Sequence, residues 1–250
     1  MVGTGITLAV QTTLEALACI ERAGRLFYVV SNPATETWLR RLNPAAVTLE
    51  DCYAEGKPRR DTYREMTRRI LSAVRDGFHV CAVFYGHPGV LVHASHEAIR
   101  QARREGFPAR MLPGISAEAC LFADLGVNPG DAGWQSFEAT DFVGRRRRFD
   151  PATPLLLWQA GVLGEASIRP GMSCRPERLR VLARLLRRSY PARHPVVLYE
   201  AAPFPICRPH IERTTLGRLP GKRVLPATTL YIPPRPARPV SRQVAAWLAE

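Results

Sequence analysis

The stretch that decides the fold is Val80-Cys81-Ala82-Val83-Phe84-Tyr85-Gly86-His87-Pro88-Gly89-Val90-Leu91. Its first half is a continuous apolar run rich in β-branched residues, which reads as a strand buried on both faces, as in a parallel sheet. Gly86, Pro88 and Gly89 then forbid further strand or helix. The break delivers a phenol, Tyr85, and an imidazole, His87. Open parallel sheets bind ligands just beyond the carboxyl ends of their strands, so this turn is the default ligand site. The competing reading is an ordinary strand-to-loop turn.

Working outward, the chain alternates strand and helix. Val2 precedes a Gly3-Thr4-Gly5 turn of the kind that lets backbone approach a ligand closely. Apolar spacing predicts helices over Thr12 to Ala23, Ala34 to Leu42, a segment capped by Asp61, His93 to Glu105, and Ala117 to Leu125 with Ser116 as its cap. Strands are expected at Leu26–Val30, closed by Ser31-Asn32-Pro33, at Val80, and at Ala109–Leu112. This β-α-β alternation implies a parallel sheet. Beyond Gly126 proline rises and helix falls. Strands are expected at Trp134–Ala139, Pro154–Gln159, Val196–Tyr199 and Thr228–Ile232. Helices are expected at Glu177–Ser189 and Val240–Leu248. The expected organisation is α/β in two domains, 1–114 and 115–236, with a tail at 237–250.

The chain has 250 residues, 46% of them hydrophobic, enough for a substantial core. No apolar run reaches membrane-spanning length and no signal pattern opens the chain, so a soluble cytoplasmic protein is expected. Six scattered cysteines without a CxxC pair read as reduced core residues. Net charge is +13, with Lys57 and Lys222 the only lysines. That balance favours acidic partners, whether peptide, tetrapyrrole carboxylate or nucleic acid. The run Arg145–Arg148 reads as a solvated loop, and Lys57 as solvent-facing. No metal-ligand spacing stands out, and no metal is expected.

The order of Gly3-Thr4-Gly5-Ile6, Tyr85-Gly86-His87-Pro88-Gly89, Pro113-Gly114-Ile115-Ser116-Ala117, Gln159 before Ala160-Gly161, and Thr228-Thr229 resembles the tetrapyrrole methylase superfamily. The resemblance implies S-adenosylmethionine (SAM) as cofactor, held in a cleft between two α/β domains, and a homodimer. Within that superfamily the chain is most similar to the borosin peptide backbone α-N-methyltransferases. Gly56 through Tyr63, Phe84 through Val90 with Ser95-His96, Glu105 through Gly114 running into Cys120 through Gly126, and the closing Tyr231-Ile232-Pro233-Pro234 carry this likeness.

By that resemblance Arg59 and Tyr63 match a catalytic arginine and tyrosine. Tyr85 matches a tyrosine at the methyl-transfer centre, and Tyr53 lies in the loop where the family keeps a further one. Gly3, Gly5, Tyr85, His87, Val90, Ser116, Ala117, Gln159, Ala201, Thr228 and Thr229 would contact SAM. The chain ends soon after Pro234, so the resemblance implies either the split kind of enzyme, acting on a separate precursor peptide, or a longer protein cut short at its C-terminal side.

The chemistry suits these residue types. A peptide nitrogen is a poor nucleophile because its lone pair is delocalised into the carbonyl. Removing its proton and stabilising the developing oxygen charge both help. A guanidinium beside a phenol favours phenolate. Arg59 and Tyr63, four apart where a loop enters a helix, can share one face. Tyr63 or Tyr53, activated by Arg59, is expected to take the amide proton, while Tyr85 holds the amide or the methyl donor. Without the family likeness, Arg59 reads as a surface arginine and Tyr63 as a core aromatic. Two other classes stay open. A methyltransferase of tetrapyrroles would leave the Arg59–Tyr63 pair unexplained. An RNA-binding relative suits the charge but lacks an aromatic-interleaved basic motif.

Overall fold

The computed structural model describes residues 1–30, 32–167, 172–237 and 241–249. The chain divides into two compact units. One comprises Met1–Val127 with returning segments Ala166–Arg169 and Ala201–Pro209; the other comprises Asn128–Glu165, Pro170–Glu200 and His210–Glu250. The expected boundary at 114/115 therefore moves to Val127/Asn128. The reason is local: the helix after Ser116 belongs to the first unit, where Cys120 Sγ contacts the Gln11 side chain.

In the first unit, β1 (Val2–Gly3), α1 (Leu14–Glu21), β2 (Arg25–Val29), α2 (Pro33–Leu42), β3 (Ala46–Thr48), α3 (Arg59–Arg75), β4 (Val80–Phe84), α4 (His93–Arg104) and α5 (Ala117–Leu125) follow one another. The sheet order is β1-β4-β2-β3, with every pair parallel. β4 sits between β1 and β2, and Cys81, Ala82, Val83 and Phe84 are all buried. Its two faces feed two apolar clusters. Cys81 and Val83 pack with Ile20, Leu26, Tyr28 and Leu39, while Ala82 and Phe84 pack with Met66, Ile70 and Ala98. That is the physical reason the run reads as uninterrupted hydrophobics.

Three expectations for this unit change. Asp61 does not cap α3. Pro58 is the cap, and Asp61 lies in the first turn, where a carboxylate complements the helix dipole. Ala109–Leu112 forms no strand. With only two residues in β1, its neighbour finds just two backbone bonds, Met1 N to Arg110 O and Leu112 N to Met1 O, both 2.9 Å. β3, which the sequence reading passed over, is an edge strand of three residues.

The second unit holds α6 (Pro129–Ala132), β5 (Gln135–Glu138), α7 (Ala139–Gly144), β6 (Leu155–Trp158), α8 (Pro176–Leu186), β7 (Pro195–Glu200), β8 (His210–Thr215), β9 (Thr229–Ile232) and α9 (Arg242–Trp247). Its sheet order is β5-β6-β9-β7-β8. β5 and β6 are parallel and the remaining pairs antiparallel. β8, His-Ile-Glu-Arg-Thr-Thr, escapes sequence reading because it is an edge strand that buries no residue fully. The Arg145–Arg148 run is an exposed loop, with Arg145 and Arg147 each 2.7 Å from Asp141. Ser31, Val240 and Glu250, at the ends of expected elements, lie outside the described residues.

Candidate functional site: a glycine cradle and a phenol cluster

Three glycine-bearing turns, at Gly3-Thr4-Gly5, Gly86 and Gly114, converge in the first unit. Gly5 and Gly86 exchange backbone bonds, Gly5 N to Gly86 O at 3.3 Å and Gly86 N to Gly5 O at 2.8 Å. A Cβ on Gly3 would stand 2.1 Å from Gly86 O, and one on Gly114 2.6 Å from the same oxygen. Glycine is required at both because three backbones meet there with no room for a side chain. Around this junction the turn is pinned by polar bonds. Gln11 Oε1 accepts from Ile6 N (2.8 Å) and Thr7 N (3.0 Å), and Gly89 N donates to His87 Nδ1 at 2.9 Å.

That last bond defines His87. Its Nδ1 lone pair is committed to the turn, so the ring serves the backbone shape rather than standing as a ready proton acceptor at that nitrogen. Ser95 Oγ donates into the same turn at Pro88 O, and Leu91 holds a left-handed φ of 58°. A left-handed leucine costs about 1–2 kcal/mol and persists where surrounding contacts over-determine it. Val90, Leu91 and Ile115 leave apolar surface exposed beside the cradle. Ser116 caps α5, accepting from Ala119 N at 3.2 Å, so Ala117 opens that helix. Ala201 directly precedes Ala202 and Pro203, whose carbonyls accept from Thr7 Oγ1 (2.8 Å) and Leu8 N (2.9 Å).

Polar backbone next to uncovered apolar side chains, at the carboxyl ends of β1 and β4, fits an amphipathic nucleoside such as SAM. Gly3, Gly5, Tyr85, His87, Val90, Ser116, Ala117 and Ala201 all belong to this unit.

The second group is phenolic. Arg59 is the first residue of α3 and Tyr63 lies one turn on. Tyr53 follows the short 3-10 turn Glu50–Cys52, and Tyr85 follows β4. Tyr53 feels Tyr63, Tyr85 and Arg59 electrostatically. The four side chains are thus brought together. Burial, first, and the two neighbouring phenols push the Tyr53 pKa far above its ordinary value of 10.0, and the Arg59 guanidinium pulls it down by less. At Tyr53 desolvation outweighs the guanidinium, so its phenol is held neutral. Tyr85 is also pushed up, by burial and then by Tyr63, although 48% of its surface remains accessible.

Lys57 is not solvent-facing. Its ammonium donates to Cys52 O at 2.8 Å and to Glu65, and Arg69 joins Glu65 to Asp51 at 2.6 Å each. This network ties the Tyr53 loop to α3. Sequence reading missed it because Glu65, Arg69 and Asp51 look like ordinary surface charges; the i,i+4 spacing of Glu65 and Arg69 was the available signal.

In the second unit, Gln159, Thr228 and Thr229 sit at strand ends. Gln159 is left-handed (φ 54°) and precedes Gly161, where a Cβ would meet the Leu225 backbone at 2.0 Å. Thr228 and Thr229 are buried. The Thr228 hydroxyl accepts from Leu225 N at 2.9 Å and donates to Glu200, so it is already committed within its own unit. Glu200, at the end of β7, is a further strand-end carboxylate that the sequence reading passed over. Among the described residues no group of three or more His, Cys, Asp or Glu could hold a metal ion, and no helix is long and apolar enough to cross a membrane. Four of the six cysteines are buried, with burial pushing Cys81 up to about 12 and Cys52 to about 11.

Residues 1–220 match the model for tetrapyrrole (corrin/porphyrin) methylases, and the chain belongs to that family of SAM-dependent methyltransferases. Among curated proteins it is 43% identical over 98% of its length to a methyltransferase/ribosomally synthesized cyclic peptide precursor for gymnopeptides from Gymnopus fusipes, of which it covers 59%. It is also 43% identical, over 94% of its length, to the corresponding omphalotin A precursor of Omphalotus olearius, of which it covers 57%. The chain thus spans about three-fifths of the length of these relatives. Among solved structures it is similar to the methyltransferase CobJ, with TM-score 0.67 and 18% identity over 96% of this chain and 95% of that one. It is likewise similar to uroporphyrin-III C-methyltransferase from Thermus thermophilus complexed with S-adenosyl homocysteine (TM-score 0.61, 18% identity, 93% and 95% covered).

Proposed function

We propose that this protein methylates backbone amide nitrogens of a peptide supplied as a separate molecule, using SAM. The observation that carries this reading is the grouping of Arg59 with the three phenols Tyr53, Tyr63 and Tyr85. The names of the curated relatives, which couple a methyltransferase to a cyclic-peptide precursor, support it. SAM, when bound, supplies an electrophilic methyl group.

The chain's residues make the amide react. Tyr63, one turn along α3 from Arg59, acts as the phenolate: it takes the amide proton and becomes the phenol as the amide nitrogen bonds to the methyl group and the S–CH3 bond breaks, its electron pair staying on sulfur. Tyr53, a neutral phenol beside Tyr63, steadies the Tyr63 oxygen until it accepts that proton. Arg59 stabilises negative charge on the amide oxygen or the phenolate, and costs no proton to do so. Tyr85 positions the reacting group from the end of β4, and the cradle residues Gly3, Gly5, His87, Val90, Ser116, Ala117 and Ala201 bind the cofactor. For Gln159, Thr228 and Thr229 the same role is proposed on the resemblance, with Thr228 acting through its backbone. A homodimer in the cytoplasm belongs to the same proposal, read by sedimentation and cell fractionation.

The test incubates the protein with SAM and a Val/Ile-rich peptide and reads added CH2 units by tandem mass spectrometry. Methyl groups on backbone nitrogens support the reading. Methyl groups on side chains alone, or none while SAM binds, contradict it.

A further inference from the structure

One face of α3 and the start of α4 enclose a surface trough of about 380 Å³ that touches the phenol cluster at a single residue, Tyr63. Arg60, Arg64 and Arg68 line it, with His93 and Glu97 opposite. These arginines recur every four residues, so they stack along one helical face. Arg60 and Arg68 make no ion pair among the described residues. Arg64 is paired with Asp61 at 3.0 Å, both exposed, and Glu97 is engaged by Arg100. Arg75, at the end of the trough, is neutralised by Glu105. The net result is a cationic groove with two uncommitted guanidinium groups, leading to the residue given the proton-transfer role.

We infer that this trough binds an acidic segment of the peptide substrate and so orients the acceptor segment toward Tyr63. The inference rests on the peptide reading above. Successive arginines rise about 6 Å along the helix axis, four residues at about 1.5 Å each. In an extended peptide, alternate side chains on one face are about 6.6 Å apart. An extended segment with Glu at every second position therefore matches the arginine ladder. Guanidinium groups recognise carboxylates by paired N–H donors. A second copy of this chain is a poor occupant, since the whole protein carries +13. Tyr63 and His93, rings 6.2 Å apart, leave no row of exposed aromatics for stacking bases, which favours peptide over nucleic acid.

The experiment compares two peptides that share one Val/Ile-rich acceptor segment, preceded by either Glu-Ser-Glu-Ser-Glu or Gln-Ser-Gln-Ser-Gln. For the native chain, kcat/KM should favour the Glu peptide by about tenfold at low salt, with the preference shrinking as salt rises. The R60Q/R68Q double variant should bring the ratio to near one, and R60E/R68E should turn it toward a Lys-Ser-Lys-Ser-Lys peptide. A native ratio near one, or a preference that survives R60Q/R68Q, overturns the inference. If neither peptide is methylated, the functional reading fails by itself. Fluorescence anisotropy of labelled Glu peptide then still decides the trough: binding lost in R60Q/R68Q supports it, and equal or absent binding overturns it. Tighter binding of an oligothymidylate, lost in the same variant, would reassign the trough to nucleic acid.

Discussion

Tyr53 and Tyr63 act on each other electrostatically although one follows a 3-10 turn and the other sits in the second turn of α3. The loop between them is short and would be free to swing, were it not for Lys57, which holds the Cys52 carbonyl on one side and Glu65 of α3 on the other. The phenol pair is thus a product of backbone placement, and its protonation follows from burial. A buried phenol beside two others stays neutral through the pH range in which the enzyme would work.

Spectrophotometric titration of the native protein against Tyr53→Phe should therefore show the lost phenol ionising well above pH 10.0, its ordinary value. The raised pKa means that folding stability involving Tyr53 is fully present below about pH 10 and declines as pH rises further. A difference midpoint below 10 would show that Arg59 dominates over desolvation.

Lys57→Met should leave the first unit folded while releasing the Tyr53 loop. The expected outcome is a kcat loss of about tenfold or more with little change in SAM affinity, restored in part by Lys57→Arg. The loop clamp also has an acid limit. Lys57, then Arg69, holds the Glu65 carboxyl down at about 2, against an ordinary 4.5. Its folded pKa is depressed, so the clamp is fully present above about pH 4.5 and is lost as pH falls toward 2. Hydrogen exchange of residues 52–58 read from pH 6 to pH 3 checks this; early loosening above pH 5 would contradict it.

Gly3→Ala should be severe and Gly144→Ala benign. The first adds a Cβ 2.1 Å from a backbone oxygen; the second meets nothing within 4 Å, at the end of a short helix. Overpacking against backbone predicts a loss of about 3 kcal/mol or more. An added alanine in a helix predicts no loss or a gain of up to about 1 kcal/mol. Thermal unfolding of the two variants side by side measures the difference.

Thr228→Val removes the partner of Leu225 N and of Glu200 while keeping the side chain's shape. A buried donor and a carboxylate lose their bonds, so stability should fall by about 1–3 kcal/mol. If stability is unchanged and only SAM affinity drops, the hydroxyl faces the cofactor rather than its neighbours.

Much of this was legible in the residues themselves. The Val80–Phe84 run announces a central strand because both of its faces are buried, and Ser116 and Gly126 mark α5 by cap chemistry that owes nothing to distant contacts. The elements that escaped were those whose identity is tertiary. β3 and β8 are edge strands with little burial, and Ala109–Leu112 lacks a full strand only because β1 is two residues long. At the site, the residue types of Arg59, Tyr63 and Tyr85 and their spacing were readable. The sign of the Tyr53 shift was not, because it depends on how many phenols and how much protein surround it. The Lys57–Glu65–Arg69–Asp51 network was hidden in the same way, as charges that look solvated until the loop folds back on α3.

The most direct test measures backbone N-methylation of a Val/Ile-rich peptide by native protein, Tyr63→Phe and Arg59→Ala, with SAM affinity measured alongside by calorimetry. The expected result is CH2 additions on backbone nitrogens for the native chain and a rate loss of about a hundredfold or more in each variant, with SAM still bound. Near-native methylation by both variants, or methylation of a tetrapyrrole in place of the peptide, would contradict the assignment of Arg59 and Tyr63 to amide chemistry.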